Sequence, residues 1–125
     1  MIKIRNKLGK TRIYSREFIK KTISEEKFIT SKLKLKKTRP VAFGGLRFKN
    51  LFKNGIKKKP LISIIMPNFK CLSIEKAIKS ILKQSYDNLE LIVIDGNSGE
   101  DTLKILRSYN KDIDIWISEK DKGMW

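Results

Sequence analysis

Three short stretches carry side chains that could do chemistry, and all three follow an apolar run. The first is "MPNFK", where Phe69 could stack on a planar base and Asn68 could hydrogen-bond one, unless Phe69 packs on a neighbouring helix and Asn68 caps a turn. The second is "IDGNSGEDT". A carboxylate placed directly after a buried strand is poorly solvated, so Asp95 is expected either to accept hydrogen bonds from a ligand's N–H or hydroxyl groups or, with Ser98, to cap the helix that follows. Gly96 and Gly99 relax the backbone there. The third is "SEKDKG", where Glu119 and Asp121 either reach the same cleft or form a solvated loop.

Other chemistries are excluded or weakened by what the chain lacks. Neither G-x-x-x-x-G-K nor G-x-G-x-x-G occurs, so a glycine-rich phosphate cradle is not expected. There is no histidine, so any metal must be held by carboxylates. The single Cys71 has no histidine to activate it as a nucleophile; it is expected to fill a small gap, and a lone cysteine agrees with a reducing compartment.

The elements that must position these stretches are legible in the hydrophobic pattern. "LISIIM" at 61–66 is a short apolar run between Pro60 and Pro67, as in a strand buried on both faces. Ser73 can cap a helix whose apolar positions Ile74, Ala77, Ile78, Ile81 and Leu82 share one face. A second strand is expected from about Glu90 to Ile94. A second helix starts at Ser98, with a stripe of Leu103, Ile105, Leu106 and Tyr109, and "DIDIWIS" at 112–118 alternates as a third strand. The order β-α-β-α-β with short connections predicts an α/β fold with a parallel sheet. Ligands of such sheets sit beyond the carboxyl ends of the strands, where the three stretches lie.

The remaining half is physically different. Residues 1–60 hold 20 Lys+Arg against 3 Asp+Glu, a net of +17, and residues 61–125 hold 9 against 10, a net of −1. Apolar residues at Ile13, Phe18, Ile19, Ile23, Phe28, Ile29 and Leu33 predict one or two amphipathic basic helices over 12–37, and 38–60 reads as a connector. The chain therefore divides into a basic, partly helical extension, 1–59, and an α/β part, 60–125. The extension admits three readings: a nucleic-acid-binding arm, which no recognised motif supports; a segment held on an anionic membrane surface through residues 1–40; and a solvated tail. No stretch approaches the ~20 apolar residues of a membrane span, and no apolar core follows the basic N-terminus as a signal peptide requires, so a cytoplasmic protein is expected, with the inner membrane face as its possible docking surface.

Taken together, "KPLISIIMPNFK", "SIEKAIKSILKQSYDNLELIVIDGNSGEDTLKILRSY" and "IDIWISEKDKGMW" closely resemble the N-terminal half of a family-2 glycosyltransferase, the inverting GT-A type that uses nucleotide-diphospho-sugars. The resemblance runs from Pro60 to Trp125, and "GGLRFKNLFK" at 44–53 resembles the lead-in of the bacterial branch. It implies the parallel β-α-β-α-β half of a GT-A fold, and sugar transfer in cell-surface polysaccharide or lipopolysaccharide synthesis. It places Pro67 and Phe69 against the base, Asp95 as the nucleotide-binding aspartate, and Asp121 with Lys122 and Gly123 toward the sugar and diphosphate. A UDP-sugar is the favoured donor.

The sequence also departs from the family pattern, with Met66 and Lys70 for the usual Thr and Asn, and Trp125 for the usual Tyr. The Mn²⁺- or Mg²⁺-binding acidic motif and the catalytic base of the family lie downstream of the "DKG" segment. Trp125 thus falls in the middle of a motif, and a truncated form is expected. The alternative to an enzyme is a non-catalytic nucleotide-binding remnant or subunit.

Overall fold

The computed structural model describes residues 2–16, 42–55, 58–71 and 73–120. The α/β part holds β4 (Ile62–Asn68), α1 (Ile74–Leu82), β5 (Leu89–Asp95), α2 (Glu100–Ser108) and β6 (Ile115–Ser118). β4, β5 and β6 pair in parallel in that spatial order, so each helix is the crossover to the next strand and the expected β-α-β-α-β sheet is present. The basic half contributes β1 (Ile2–Arg5) and β2 (Thr11–Tyr14), an antiparallel hairpin, and β3 (Ala42–Gly44), which pairs antiparallel with β6.

Both helices lie on one face of the sheet. Ile74, Ile78 and Leu82 of α1 and Leu103 and Leu106 of α2 share a core with Leu91, Val93 and Trp116. The stripe positions are i, i+4 and i+8 in α1, the spacing that places side chains on one side of a helix. On the opposite face Ile92, Ile94, Ile115 and Ile117 form a second cluster, beside which Phe43 and Phe48 stand exposed with ring centroids 4.8 Å apart.

Several expectations are corrected. β4 is not buried on both faces: among the described residues it is the last strand of the sheet, and Ile65 is 65 % exposed. Ile62 N–H donates to the Asn88 carbonyl and the Asn68 carbonyl accepts from Gly96, so even-numbered residues of β4 bond to β5 and odd-numbered ones face outward. Pro67 is among the outward ones, where its missing N–H breaks no ladder bond. Residues 12–14 are strand, not helix, because Arg12 and Tyr14 turn inward while Thr11 and Ile13 stay outside; the rest of the helices expected over 12–37 lies outside the described residues, Ser15 and Arg16 apart.

Nor do residues 42–53 behave as a bare connector. After β3, a 3₁₀ turn (Leu46–Lys49) buries Leu46 against Tyr14 and Leu51, and its backbone N–H groups at Leu46 and Arg47 bond to the carbonyls of Ile113 and Asp114. A Cβ on Gly44 would lie 2.4 Å from Asn110 Oδ1 and 2.6 Å from Trp116 Nε1, so the strand approaches the sheet closely because that residue is glycine. The third strand is shorter than expected, and Asp112 and Asp114 before it are buried. Lys53 explains Asp114: its Nζ bonds to Asp114 Oδ2 at 3.1 Å and to the Leu89 carbonyl.

Candidate functional site

The three strands end in register on polar residues. Asn68 lies beside Asp95, and Asp95 beside Ser118. Their side chains converge on one carboxylate. Asp95 Oδ1 accepts from Asn68 Nδ2 at 2.8 Å and from Ser98 Oγ at 2.6 Å; Oδ2 accepts from Ser98 N–H at 3.1 Å and from Ser118 Oγ at 2.8 Å. Asp95 is 0 % exposed. Burial alone would push its carboxyl up, but the bonds from Ser98, Asn68 and Ser118 outweigh it and hold the carboxyl below the usual carboxylate range. A carboxylate offers about four acceptor sites, and here four donors fill them.

Asp95 is therefore built as the organiser of three strand ends rather than as a group turned toward the cleft. Asn68, buried with it, serves Asp95 and not an open face. Ser98 does not cap α2 as expected: the N-cap is Gly99, with φ 115°, and the Ser98 hydroxyl goes to Asp95. The backbone continues the same link, with Gly96 N–H on the Asn68 carbonyl and Glu119 N–H on the Asp95 carbonyl.

What does face outward is Phe69. Its ring is 54 % exposed at the mouth above this network, with Lys70 Nζ 5.2 Å from the ring centroid, so the packing of Phe69 on a neighbouring helix is not observed. Pro67 stands exposed two residues before it. Lys70 and Asn97 hold φ of 50° and 60°, uncommon for residues with a Cβ, and flank the network on its two loops. Cys71 is exposed rather than gap-filling; its thiol is held below its ordinary value by hydrogen bonds to Ser73, whose Oγ is 3.2 Å away. Asp121, expected toward the diphosphate, lies outside the described residues, and so do Lys122 and Gly123.

Metal ligation finds no fit here. Among the described residues no three His, Cys, Asp or Glu side chains stand close enough to hold an ion, and Asp95 has no acceptor site to spare. Among the same residues no helix is long and apolar enough to cross a membrane.

Sequence reasoning reached Ser118 as a strand end without giving it a role; what it missed is that Ser118 closes the network from β6 and that the Ser98 hydroxyl serves Asp95. A signal did exist: each of the three strands ends in a residue able to hydrogen-bond, immediately after an apolar run.

Comparison with known proteins places this arrangement. The Glycosyl transferase family 2 model matches residues 63–124, from β4 through the whole network. A Campylobacter jejuni GalNAc(5)-diNAcBac-PP-undecaprenol beta-1,3-glucosyltransferase is 45 % identical over 56 residues, 44 % of this chain and 18 % of that protein. Chondroitin synthase of Escherichia coli is 36 % identical over 72 residues, 55 % of this chain and 10 % of that protein. An Escherichia coli UDP-Glc:alpha-D-GlcNAc-diphosphoundecaprenol beta-1,3-glucosyltransferase is 40 % identical over 65 residues, 50 % of this chain and 26 % of that protein. The matched stretch is thus a quarter or less of most of these relatives, 10 to 26 % of their length. No solved structure matches significantly. By the family match, residues 63–124, which carry the parallel strands and both crossover helices, belong to glycosyl transferase family 2.

Proposed function

We propose that the chain recognises the nucleotide of a nucleotide-diphospho-sugar, as the donor-binding part of a GT-A-type glycosyltransferase. The observation that carries this reading is the exposed ring of Phe69 above a rigid, fully hydrogen-bonded set of strand ends, at the carboxyl edge of a parallel sheet. Pro67 and Phe69 line the base and Phe69 stacks on it. Asp95 fixes the loops that carry them through Asn68, Ser98 and Ser118. Asp121, with Lys122 and Gly123, is assigned to the sugar and diphosphate by the resemblance alone, since the three lie outside the described residues.

UDP-sugars are the favoured donors, since one relative is named for UDP-Glc. The names of the relatives also support a process of lipid-linked or polysaccharide sugar transfer. The proposal adds an acceptor at the cytoplasmic face of the membrane and an attraction of the basic residues 1–40 to anionic lipid, which rests on their charge alone. Transfer with inversion needs a base for the acceptor hydroxyl and a charge sink for the leaving diphosphate. In the family that the chain resembles, a Mn²⁺ or Mg²⁺ ion would supply the second, and no described residues of this chain fit such an ion.

A second reading, a nucleotide-binding subunit without turnover of its own, is favoured by the outer edge of β4, which no strand among the described residues covers and where Ile65 is exposed. Calorimetric titration of the full chain with UDP, UDP-glucose and GDP tests the proposal, with sugar release followed in the same samples with Mn²⁺ present. UDP binding that Phe69→Ala weakens by about 10- to 100-fold is the expected result, from the usual worth of base–aromatic stacking. Absence of UDP binding by the intact chain would overturn it. Turnover by the purified chain would remove the second reading.

A further inference from the structure

We infer that Ser98 is a positioning residue of the proposed nucleotide site, clamping the loop that carries Phe69 onto the loop after β5; the inference rests on the base-stacking role proposed for Phe69. A serine hydroxyl has one proton to donate and two lone pairs. Ser98 uses all three. Its O–H goes to Asp95 Oδ1 at 2.6 Å, and its oxygen accepts from the Lys70 backbone N–H at 2.7 Å and from Asn68 Nδ2 at 3.4 Å.

The direction of these bonds is imposed. The ionised Asp95 can only accept, so the Ser98 proton must point at it, and the lone pairs are left facing the β4 loop. Lys70 needs that acceptor more than most residues would. Its φ of 50° is a left-handed conformation that costs energy in a residue with a side chain and persists only where the surroundings hold it. Phe69 is the residue before it, and a ring 54 % exposed is not fixed by packing. Where the ring stands is therefore set by the backbone that Ser98 holds. A hydroxyl with its proton and both lone pairs engaged has no part in the chemistry itself, so Ser98 acts through Phe69.

The test is UDP affinity by calorimetry in the full chain, with far-UV circular dichroism to verify the fold. Expected is that Ser98→Ala weakens UDP binding about tenfold, the scale of one lost charge-assisted hydrogen bond, with a native spectrum. Ser98→Thr, which keeps the hydroxyl, should restore affinity to within about twofold of wild type. Wild-type affinity in Ser98→Ala, with Phe69→Ala weakened in parallel, overturns the positioning role while leaving the base site standing. Weakening in Ser98→Thr equal to that in Ser98→Ala overturns it too, since loss would then not follow the hydroxyl. If the alanine variant does not fold, Ser98→Cys must show the weakening, because a thiol accepts hydrogen bonds poorly; wild-type affinity there overturns the proposal. A wild-type chain that binds no UDP removes the base site first, and this inference with it.

Discussion

The guanidinium of Arg47 meets the carboxylate of Glu90 where both side chains are almost free of solvent, 6 % and 4 % exposed, and Ser63 Oγ donates to the same carboxylate. The pair joins the basic half of the chain to the central strand across 43 residues of sequence. Removing one partner strands a buried charge, so Arg47→Ala should lower stability by about 3–5 kcal/mol. The double change Arg47→Met with Glu90→Leu should recover most of that loss, because it leaves no charge to desolvate. Urea unfolding of the wild type and the two variants checks both statements.

A chain that begins at Pro60 should not fold on its own. It lacks Arg47 and also Lys53, the cation 3.1 Å from Asp114, whose side chain is fully buried between Leu91 and β6. It also lacks β3, so the edge of β6 is left bare. Thermal unfolding followed by circular dichroism should show a cooperative transition for the full chain and none for residues 60–125.

Asp95 should make the molecule acid-sensitive. Its carboxyl sits below the usual value in the folded state, so its ionised form stabilises the fold above the ordinary carboxylate pKa of about 3.9, and that stability is lost as pH falls through the lower folded value. Asp95→Ala should cost about 3 kcal/mol at neutral pH, the order expected when a charged acceptor is taken from several donors. Urea midpoints between pH 2.5 and 5 should slope steeply in the wild type and little in the variant.

Asp112 should act in the opposite sense. Burial pushes its carboxyl up, against the Lys7 N–H that bonds to Oδ1 and the charges of Lys7 and Lys53, while Oδ2 has no hydrogen-bond partner among the described residues. Between about 3.9 and its raised value the folded state holds the proton more tightly than the unfolded chain, so this carboxyl makes stability fall as pH rises. Asp112→Asn should remove that decline and leave the protein more stable than wild type above the window. Urea midpoints from pH 4 to 7 read the difference.

How much of this was legible beforehand depended on how local the cause was. The crossover helices follow from spacing within nine residues, and α1 falls on Ile74–Leu82 with Ser73 before it, as the apolar stripe predicts. β5 reads as buried because nearly every residue in it is apolar. Residues 42–53 were opaque for the opposite reason. Arg47 and Lys53 look like two more surface cations in a chain of net charge +16, and their partners Glu90 and Asp114 lie far along the sequence.

At the site, the polar strand ends were visible but their division of labour was not. Whether a carboxylate turns to a ligand or inward depends on how many donors reach it, and those reaching Asp95 come from β4, β6 and the loop before α2. Phe69 stands exposed because no described element covers the mouth above it, which no pattern in "MPNFK" could state.

Pro67 has a consequence for how this sheet can grow. Along the outer side of β4, Ser63 and Ile65 each offer an amide and a carbonyl to a newcomer, whereas Pro67 offers a carbonyl alone. A strand zipping up that side from the Ile62 end therefore loses its grip two residues short of Phe69. Among the described residues no strand pairs with that flank, and a strand added there would stop short of the ring.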